Sequence, residues 1–214
     1  GTTSIIYEDY YKYDKYQKGD LRMYTGNYEC LELFVKPDEG KKGSVLLKNV
    51  KESTTETKEL KHIYGNWIKF PVSKDTEYEI STQDCTITFA YLSECENIME
   101  NGICVLDTTD NYKEMNKEEF LHFIDTPYRE QYHFSPVVNW NNDPNGLCWF
   151  KGYYHLFYQM NPFGQEWNNM YWGHAASKDL VHWTHLPVIL EPQEEILDNL
   201  AIKGGAFSGS ALPM

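Results

Sequence analysis

One five-residue run, Asn142-Asp143-Pro144-Asn145-Gly146, concentrates unusual chemistry in this chain. Pro144 fixes φ at a turn position and Asn145-Gly146 tolerates positive φ, so the run reads as a tight turn just before a strand. Turn chemistry alone accounts for the pentapeptide taken by itself. Its surroundings add more. Trp140 flanks it, and on the strand read over 153–159, Tyr153, His155, Phe157 and Gln159 share one face while Tyr154, Leu156 and Tyr158 share the other. Gln159, at the strand end, then points towards the site that Asp143 faces. Five Trp (140, 149, 167, 172, 183) and five His (133, 155, 174, 182, 185) follow Thr126-Pro127, against only Trp67, His62 and His122 before it. Aromatic residues with polar tips gather in ligand sites more readily than in plain cores, so the second part of the chain is where chemistry is sought.

Other candidates give way to simpler readings. His182 and His185 lie three apart on a strand and point to opposite faces, so packing outweighs metal ligation and no metal site is assigned. The Gly-rich run 203–210 lacks the Gly-Lys-Ser/Thr order that cradles phosphate. Cys148 has no activating partner nearby and reads as a strand spacer. Asp179 reads as a turn or cap residue, and the acidic run from Glu191 to Asp198 as a solvated loop.

The elements that must position this segment are strands. Leu147 to Phe150 and Tyr153 to Gln159 flank Lys151-Gly152, a two-residue hairpin connection. Tyr171 to Ser177 gives a third strand, Ser177-Lys178-Asp179-Leu180 a turn, and Val181 to Leu190 a fourth, the content of one propeller blade. The first part reads as short strands over Cys30 to Lys36, Ser44 to Val50, Glu59 to Tyr64, Trp67 to Val72, Glu77 to Ser81, Cys85 to Leu92 and Ile103 to Asp107. That spacing fits an antiparallel sandwich or jelly roll. A helical turn is expected near 116–124, with Asn116 in capping character. Ahead of all this, seven tyrosines between Tyr7 and Tyr28 keep no clean period and read as an arm packed on the sandwich.

The whole chain has 214 residues, 41% of them hydrophobic, 15% aromatic and 24% charged, which excludes disorder, collagen and coiled coil. A formal charge of −13 repels phosphate backbones and anionic headgroups, so neither nucleic acid nor membrane is expected as a partner. Mean hydropathy is −0.60 and no apolar run is long enough to span a bilayer. Five cysteines without CxxC spacing fit neither a disulfide framework nor a zinc ribbon, which favours a reduced, cytoplasmic setting. Gly1 suggests a processed terminus and leaves secretion open.

His133-Phe134-Ser135-Pro136, Trp140-Asn141-Asn142-Asp143-Pro144-Asn145-Gly146, Phe157-Tyr158-Gln159-Met160-Asn161-Pro162, Trp172-Gly173-His174-Ala175, Asp179-Leu180-Val181-His182-Trp183 and Phe207-Ser208-Gly209-Ser210 follow one another in order. Together they resemble glycoside hydrolase family 32, the family of invertases, inulinases, levanases and sucrose-6-phosphate hydrolases. The resemblance implies a five-bladed β-propeller and retaining β-fructofuranosidase chemistry without a cofactor. Asp143 matches the family's nucleophile. Trp140, Asn142, Gln159, Trp167, Phe207 and Ser208 match residues lining the fructose subsite, with Asn141 beside them where the family usually has Met. Tyr171 likewise replaces a commoner His, and both departures bear on substrate fit. The expected architecture is all-β: a sandwich-like domain over 1–130 with its Tyr-rich leader, then the first blade and the start of a second over 131–214. The family's acid/base Glu, in a Glu-Cys motif, and its stabilising Asp, in an Arg-Asp-Pro motif, do not follow Asp143 here. Glu94-Cys95 mimics the former but lies in the sandwich part and reads as a chance match. The chain is therefore expected to be an incomplete portion, inactive alone, whose partners would be sucrose or a fructan and the rest of the propeller. The alternative is a non-catalytic carbohydrate-binding fragment.

Overall fold

The computed structural model describes residues 21–108, 127, 129–130, 133–199, 201 and 204–212. Most of the tyrosine-rich leader and the expected helical turn at 116–124 lie outside the described residues. Twelve strands are present among those described: β1 (Leu21–Tyr24), β2 (Cys30–Pro37), β3 (Ser44–Asn49), β4 (Thr55–Glu59), β5 (Asn66–Pro71), β6 (Glu77–Gln83), β7 (Cys85–Ser93), β8 (Cys104–Val105), β9 (Trp140–Phe150), β10 (Tyr153–Asn161), β11 (Tyr171–Ser177) and β12 (Trp183–Leu190). Two short helical turns accompany them, α1 (Ile98–Asn101) and α2 (Glu194–Leu197). None of the helices among the described residues is long and apolar enough to cross a membrane.

The strands form three four-stranded antiparallel sheets, in the orders β1-β6-β3-β4, β5-β2-β7-β8 and β12-β11-β10-β9. The first two face each other across a core of Leu31, Leu33, Val35, Val45, Leu47, Phe70, Ile80, Ile87, Ala90 and Leu92. This is the expected sandwich. The third is a simple up-and-down meander, the form of one propeller blade. Its first hairpin turns at Lys151 (φ 48°) and Gly152 (φ 86°), the left-handed pair that a two-residue connection needs to match strand twist.

The middle sheet is covered on both sides. Along β2, Leu31, Leu33 and Val35 enter the sandwich core, while Phe34 joins Phe89, Tyr91, Leu156, Tyr158, Met160, Phe163, Tyr171 and Val188 in a second core against the blade. Phe34 stacks on Trp67 and Phe89 with ring centroids 5.6 and 5.5 Å apart and meets Tyr171 edge-on at 5.9 Å. Such pairs add about 0.5–1.5 kcal/mol each beyond area burial. The buried Glu32 on the same face accepts hydrogen bonds from Trp67 Nε1 (3.2 Å) and from the Tyr91 hydroxyl, whose oxygen accepts in turn from the backbone N–H of Val188 on β12 (3.0 Å). The blade is thus docked by aromatic packing around a paired Glu32–Trp67–Tyr91 cluster, beside which the buried Tyr171 hydroxyl has no hydrogen-bond partner among the described residues.

Several expectations change. The strand read over Glu59 to Tyr64 lies earlier, at β4: residues 61–65 are instead folded into a loop by Asn66, the first residue of β5, whose Oδ1 accepts from the backbone N–H of Lys61 and His62 (2.8 and 2.9 Å). β1, at the tail of the leader, pairs with β6 from Leu21↔Ile80 to Tyr24↔Glu77. The acidic run is not wholly a solvated loop, because α2 forms there and buries Leu197. Glu94 is buried and accepts from Asn101 Nδ2 (2.5 Å), a structural role within the sandwich part.

Candidate active site

Asn142 to Gly146 is not a turn preceding a strand; it lies within β9. Pairing of β9 with β10 skips twice. Met160↔Asn141 is followed by Tyr158↔Pro144, and Phe157↔Asn145 by His155↔Cys148. In the first skip Asn142 and Asp143 together oppose the single residue Gln159, and in the second Gly146 and Leu147 oppose Leu156. These are β-bulges, which bend a strand and re-aim its side chains. The second needs glycine twice over, since Gly146 has φ +53° and a Cβ there would stand 2.6 Å from the Phe157 ring. β9 is also an edge strand of its sheet, and the first bulge leaves Asp143 exposed.

A chain of hydrogen bonds runs to that carboxylate. Trp140 Nε1 donates to Asn142 Oδ1 (3.0 Å), Asn142 Nδ2 to Gln159 Oε1 (2.7 Å), Gln159 Nε2 to Ser208 Oγ (3.2 Å), and Ser208 Oγ to Asp143 Oδ2 (2.5 Å). Every donor points the same way, so the bonds polarise one another, and the last, to a carboxylate, is of the strong charge-assisted kind. Gln159 is 2% exposed, which makes its amide a fixed post rather than a swinging arm.

Ser208 arrives from the segment 204–212, which is stitched to the blade by backbone groups. Met170 N–H donates to Gly204 O (3.0 Å), Ala206 N–H to Met170 O (2.7 Å) and Gly146 N–H to Gly209 O (3.0 Å). Trp172 Nε1 donates to the carbonyls of Ala206 (3.0 Å) and Phe207 (3.2 Å). Sequence reading left Trp172 out of the site, although its antiparallel partner is Gln159, a pairing implied once β10 and β11 are aligned.

The structure therefore brings Asp143, Trp140, Asn142, Gln159 and Ser208 together. Phe207 is adjacent, 61% exposed, and enters the network through its backbone carbonyl. Asn141 is exposed and makes none of the network's bonds among the described residues. Trp167 is half-buried on the loop after β10, outside the network. Tyr171 stands on the opposite side of the sheet, against Phe34, Trp67 and Phe163, so its departure from the family pattern serves sandwich packing and not substrate fit.

The remaining histidines have local roles. Asp179 Oδ1 accepts from the backbone N–H of Val181 (2.9 Å) and His182 (2.8 Å), and its Oδ2 lies 2.7 Å from His182 Nδ1. Asp179 is thus the turn residue expected, and these bonds, led by His182, hold its carboxyl well below the usual range. His174 Nε2 lies 3.0 Å from His155 Nδ1, and burial, with His155 adding to it, pushes its pKa down to about 3. No group of three or more His, Cys, Asp or Glu suited to a metal occurs among the described residues.

Comparison with known proteins places this geometry. Residues 133–214 match the model for the glycosyl hydrolases family 32 N-terminal domain. A stretch of 90 residues is 56% identical to levanase from Bacillus subtilis (strain 168), covering 42% of this chain and 12% of that protein. Over 66 residues the chain is 64% identical to the extracellular exo-inulinase inuE of Aspergillus niger, covering 31% of this chain and 12% of the relative. The match to each of these relatives thus spans about an eighth of the relative's length. A solved glycoside hydrolase family 32 structure from Bifidobacterium adolescentis superimposes with a TM-score of 0.80 at 35% identity, over 89% of this chain and 30% of that one. Residues 133–214 alone would make up less than half of the chain, so this likeness takes in the two sandwich sheets as well as the blade.

Proposed function

From the match of residues 133–214 to the glycosyl hydrolases family 32 N-terminal domain, we propose that this chain is part of a family 32 enzyme and supplies the nucleophile side of a retaining β-fructofuranosidase site acting on sucrose or a fructan. The observation that carries the reading is the bulge that exposes Asp143 at the end of the Trp140–Asn142–Gln159–Ser208 relay. The named activities of the relatives, levanase and exo-inulinase, support the substrate class.

In this mechanism Ser208 holds Oδ2 of the ionised Asp143 and the other carboxylate oxygen attacks the anomeric carbon of a β-fructofuranosyl unit. The glycosidic C–O bond breaks as its oxygen takes a proton from a carboxylic acid. A fructosyl–Asp143 ester results, which water then hydrolyses, returning the carboxylate and the acid's proton. The proton donor is a second carboxyl group about 5 Å away, supplied by sequence other than the relay. Asn142, Gln159 and Ser208 offer neutral hydrogen-bonding groups for sugar hydroxyls, and Trp140, Trp167 and Phe207 offer apolar walls. Asn141 lies at the rim of that subsite. Residues 1–130 form the sandwich domain and 131–214 open a five-bladed propeller, to which this chain contributes the first blade. The exo-inulinase relative is extracellular by name, so secretion stands beside the cytoplasmic setting favoured by cysteine usage; fractionation of the source cells decides between them.

A second reading has its own support. The relay contains a single carboxylate, whereas retaining hydrolysis needs two, so this polypeptide by itself would bind fructosides without turning them over. Incubating it with sucrose, inulin and levan while measuring both bound sugar and released fructose separates the two. Release that disappears in Asp143→Asn supports catalysis, binding without release supports the second reading, and neither binding nor release overturns both.

A further inference from the structure

We infer that Tyr64, a residue of the sandwich, is a positioning residue for the sugar-facing indoles of the blade, so that the sandwich helps set the affinity of the site. This rests on the proposed function and goes beyond it, because it assigns the leading domain a part in substrate recognition.

The argument starts from the loop after β10, which carries Trp167. Tyr64, 7% exposed, donates through its hydroxyl to Glu166 Oε1 (2.9 Å) and accepts there from Asn161 Nδ2 (3.0 Å). Glu166, the residue before Trp167 in the chain, is therefore tied to a phenol of the sandwich. Asn161 Nδ2 also donates to the carbonyl of Glu166 (2.9 Å), and Asn161 Oδ1 accepts from the N–H of Phe163 (3.1 Å), closing the loop on itself. Burial raises the Tyr64 phenol well above its ordinary range, so it stays a neutral donor at every working pH.

Packing fixes the same loop from below. The Phe163 ring meets Tyr64 edge-on at 5.8 Å, and a Cβ added at Gly65 would stand 2.5 Å from that ring, so the sandwich backbone lies directly against it. Thr88 Oγ1, on β7, lies 2.8 Å from the carbonyl of Pro162. From there the loop reaches the catalytic strand: Gly164 O accepts from the backbone N–H of Trp140 (3.1 Å), and Pro162 O from Asn139 Nδ2 (2.9 Å). One continuous set of contacts thus leads from Tyr64 to Trp167 on one side and to Trp140, the first member of the relay to Asp143, on the other. A shift of the loop would move both indoles at once, and placement errors near 1 Å in such groups are costly.

Tyr64→Phe tests this, since it keeps the ring and removes the hydroxyl. Tyr78→Phe is the control: its hydroxyl accepts from the N–H of Ser73 (3.0 Å) within the sandwich, away from the blade. The first readout needs no sugar. In Tyr64→Phe the Trp167 indole and Trp140 amide resonances in 15N–1H spectra should move, and in Tyr78→Phe they should not. The second is titration with short inulin oligosaccharides. Affinity should fall about fivefold in Tyr64→Phe, the effect of one lost hydrogen bond near 1 kcal/mol, and stay unchanged in Tyr78→Phe even if its melting temperature drops further. Unmoved resonances in Tyr64→Phe, or equal affinity in wild type and Tyr64→Phe, would overturn the inference while leaving the proposed function standing. If the wild-type chain binds no fructoside, the proposed function falls, and with it the affinity claim; the two resonances then still decide whether Tyr64 positions the loop.

Discussion

Two bulged strands in this protein use the same backbone device to opposite ends. On β7, Phe89 pairs with Phe34 but Ile87 with Val35, so Thr88 is the additional residue. It lies between the two cores, 7% exposed, and its hydroxyl is 3.0 Å from the carbonyl of Phe34 and 2.8 Å from that of Pro162. The bulge shifts the phase of the strand, letting Ile87 enter one core while Phe89 enters the other. On β9 the additional residue lies in an edge strand with no neighbouring strand on its outer side, and the result is an exposed Asp143 at the end of a hydrogen-bonded relay. What covers a bulge decides what it does: between two packed faces it serves packing, and at a free edge it presents chemistry.

That contrast can be broken by mutation. The largest effect on function is expected at the free edge: Asp143→Asn in the fructose-releasing protein should reduce release from sucrose or inulin to background, with unfolding free energy changed by only about 0.5 kcal/mol because the residue is exposed. Retained release would remove Asp143 from its role. The covered strands should behave in reverse. Phe34→Ala, at the centre of the blade–sandwich core, should cost about 3–5 kcal/mol by denaturant titration, because it opens a cavity between Trp67, Phe89 and Tyr171. A cost below about 1 kcal/mol would mean that the blade is not held by this face. Between these extremes stands Gln159→Leu, which leaves the Asn142 amide and Ser208 hydroxyl without their shared partner. Asn142 is half-buried and Ser208 exposed, so water can replace the lost partner, and a loss of about 0.5–1.5 kcal/mol is expected, read as weaker fructoside binding accompanied by a lower melting temperature.

How much of this was legible in the sequence depends on what specifies each part. β11 is read from the sequence with the same ends it has in the structure, because β-forming residues stop at a turn cluster on one side. β4 escapes, since Thr55-Glu56-Thr57-Lys58-Glu59 is an exposed edge strand held by backbone pairing with β3 and has no apolar alternation to betray it. His62-Ile63-Tyr64 misleads for the converse reason: good strand formers are pulled into a loop by the side chain of Asn66. In the site, Asp143, Asn142, Gln159 and Ser208 are legible as an ordered motif set. The bulge is not, because Pro144 and Asn145-Gly146 carry the same local signal whether the chain turns or kinks within a strand. Tyr64 lies 102 positions from Glu166, and no local pattern connects them.

The smallest effect tests the two faces of the blade together. Burial pushes His174, on the Phe157 face, down to about 3, with His155 adding to it, and burial pushes His185, packed against Phe134 on the sandwich face, down to about 4, with Arg129 adding to it. Both are neutral in the folded protein at pH values where the unfolded chain, with the ordinary value of 6.5, already takes up protons. The unfolded state binds more protons in that window, so stability is full above pH 6.5 and falls on acidification, by at most about 1.4 kcal/mol per pH unit for each histidine. The carboxylates with lowered values, Glu79 and Glu100 starting from 4.5 and Asp179 from 3.8, begin to matter only near and below those values. Loss of stability between pH 6.5 and 4.5 is therefore a histidine signal. Urea midpoints measured across that range should decline in the wild-type chain and decline less in His174→Phe. An unchanged slope in the variant would mean that the Phe157 face opens to water readily enough for His174 to titrate in place, and would shift the acid sensitivity to His185 and the sandwich face.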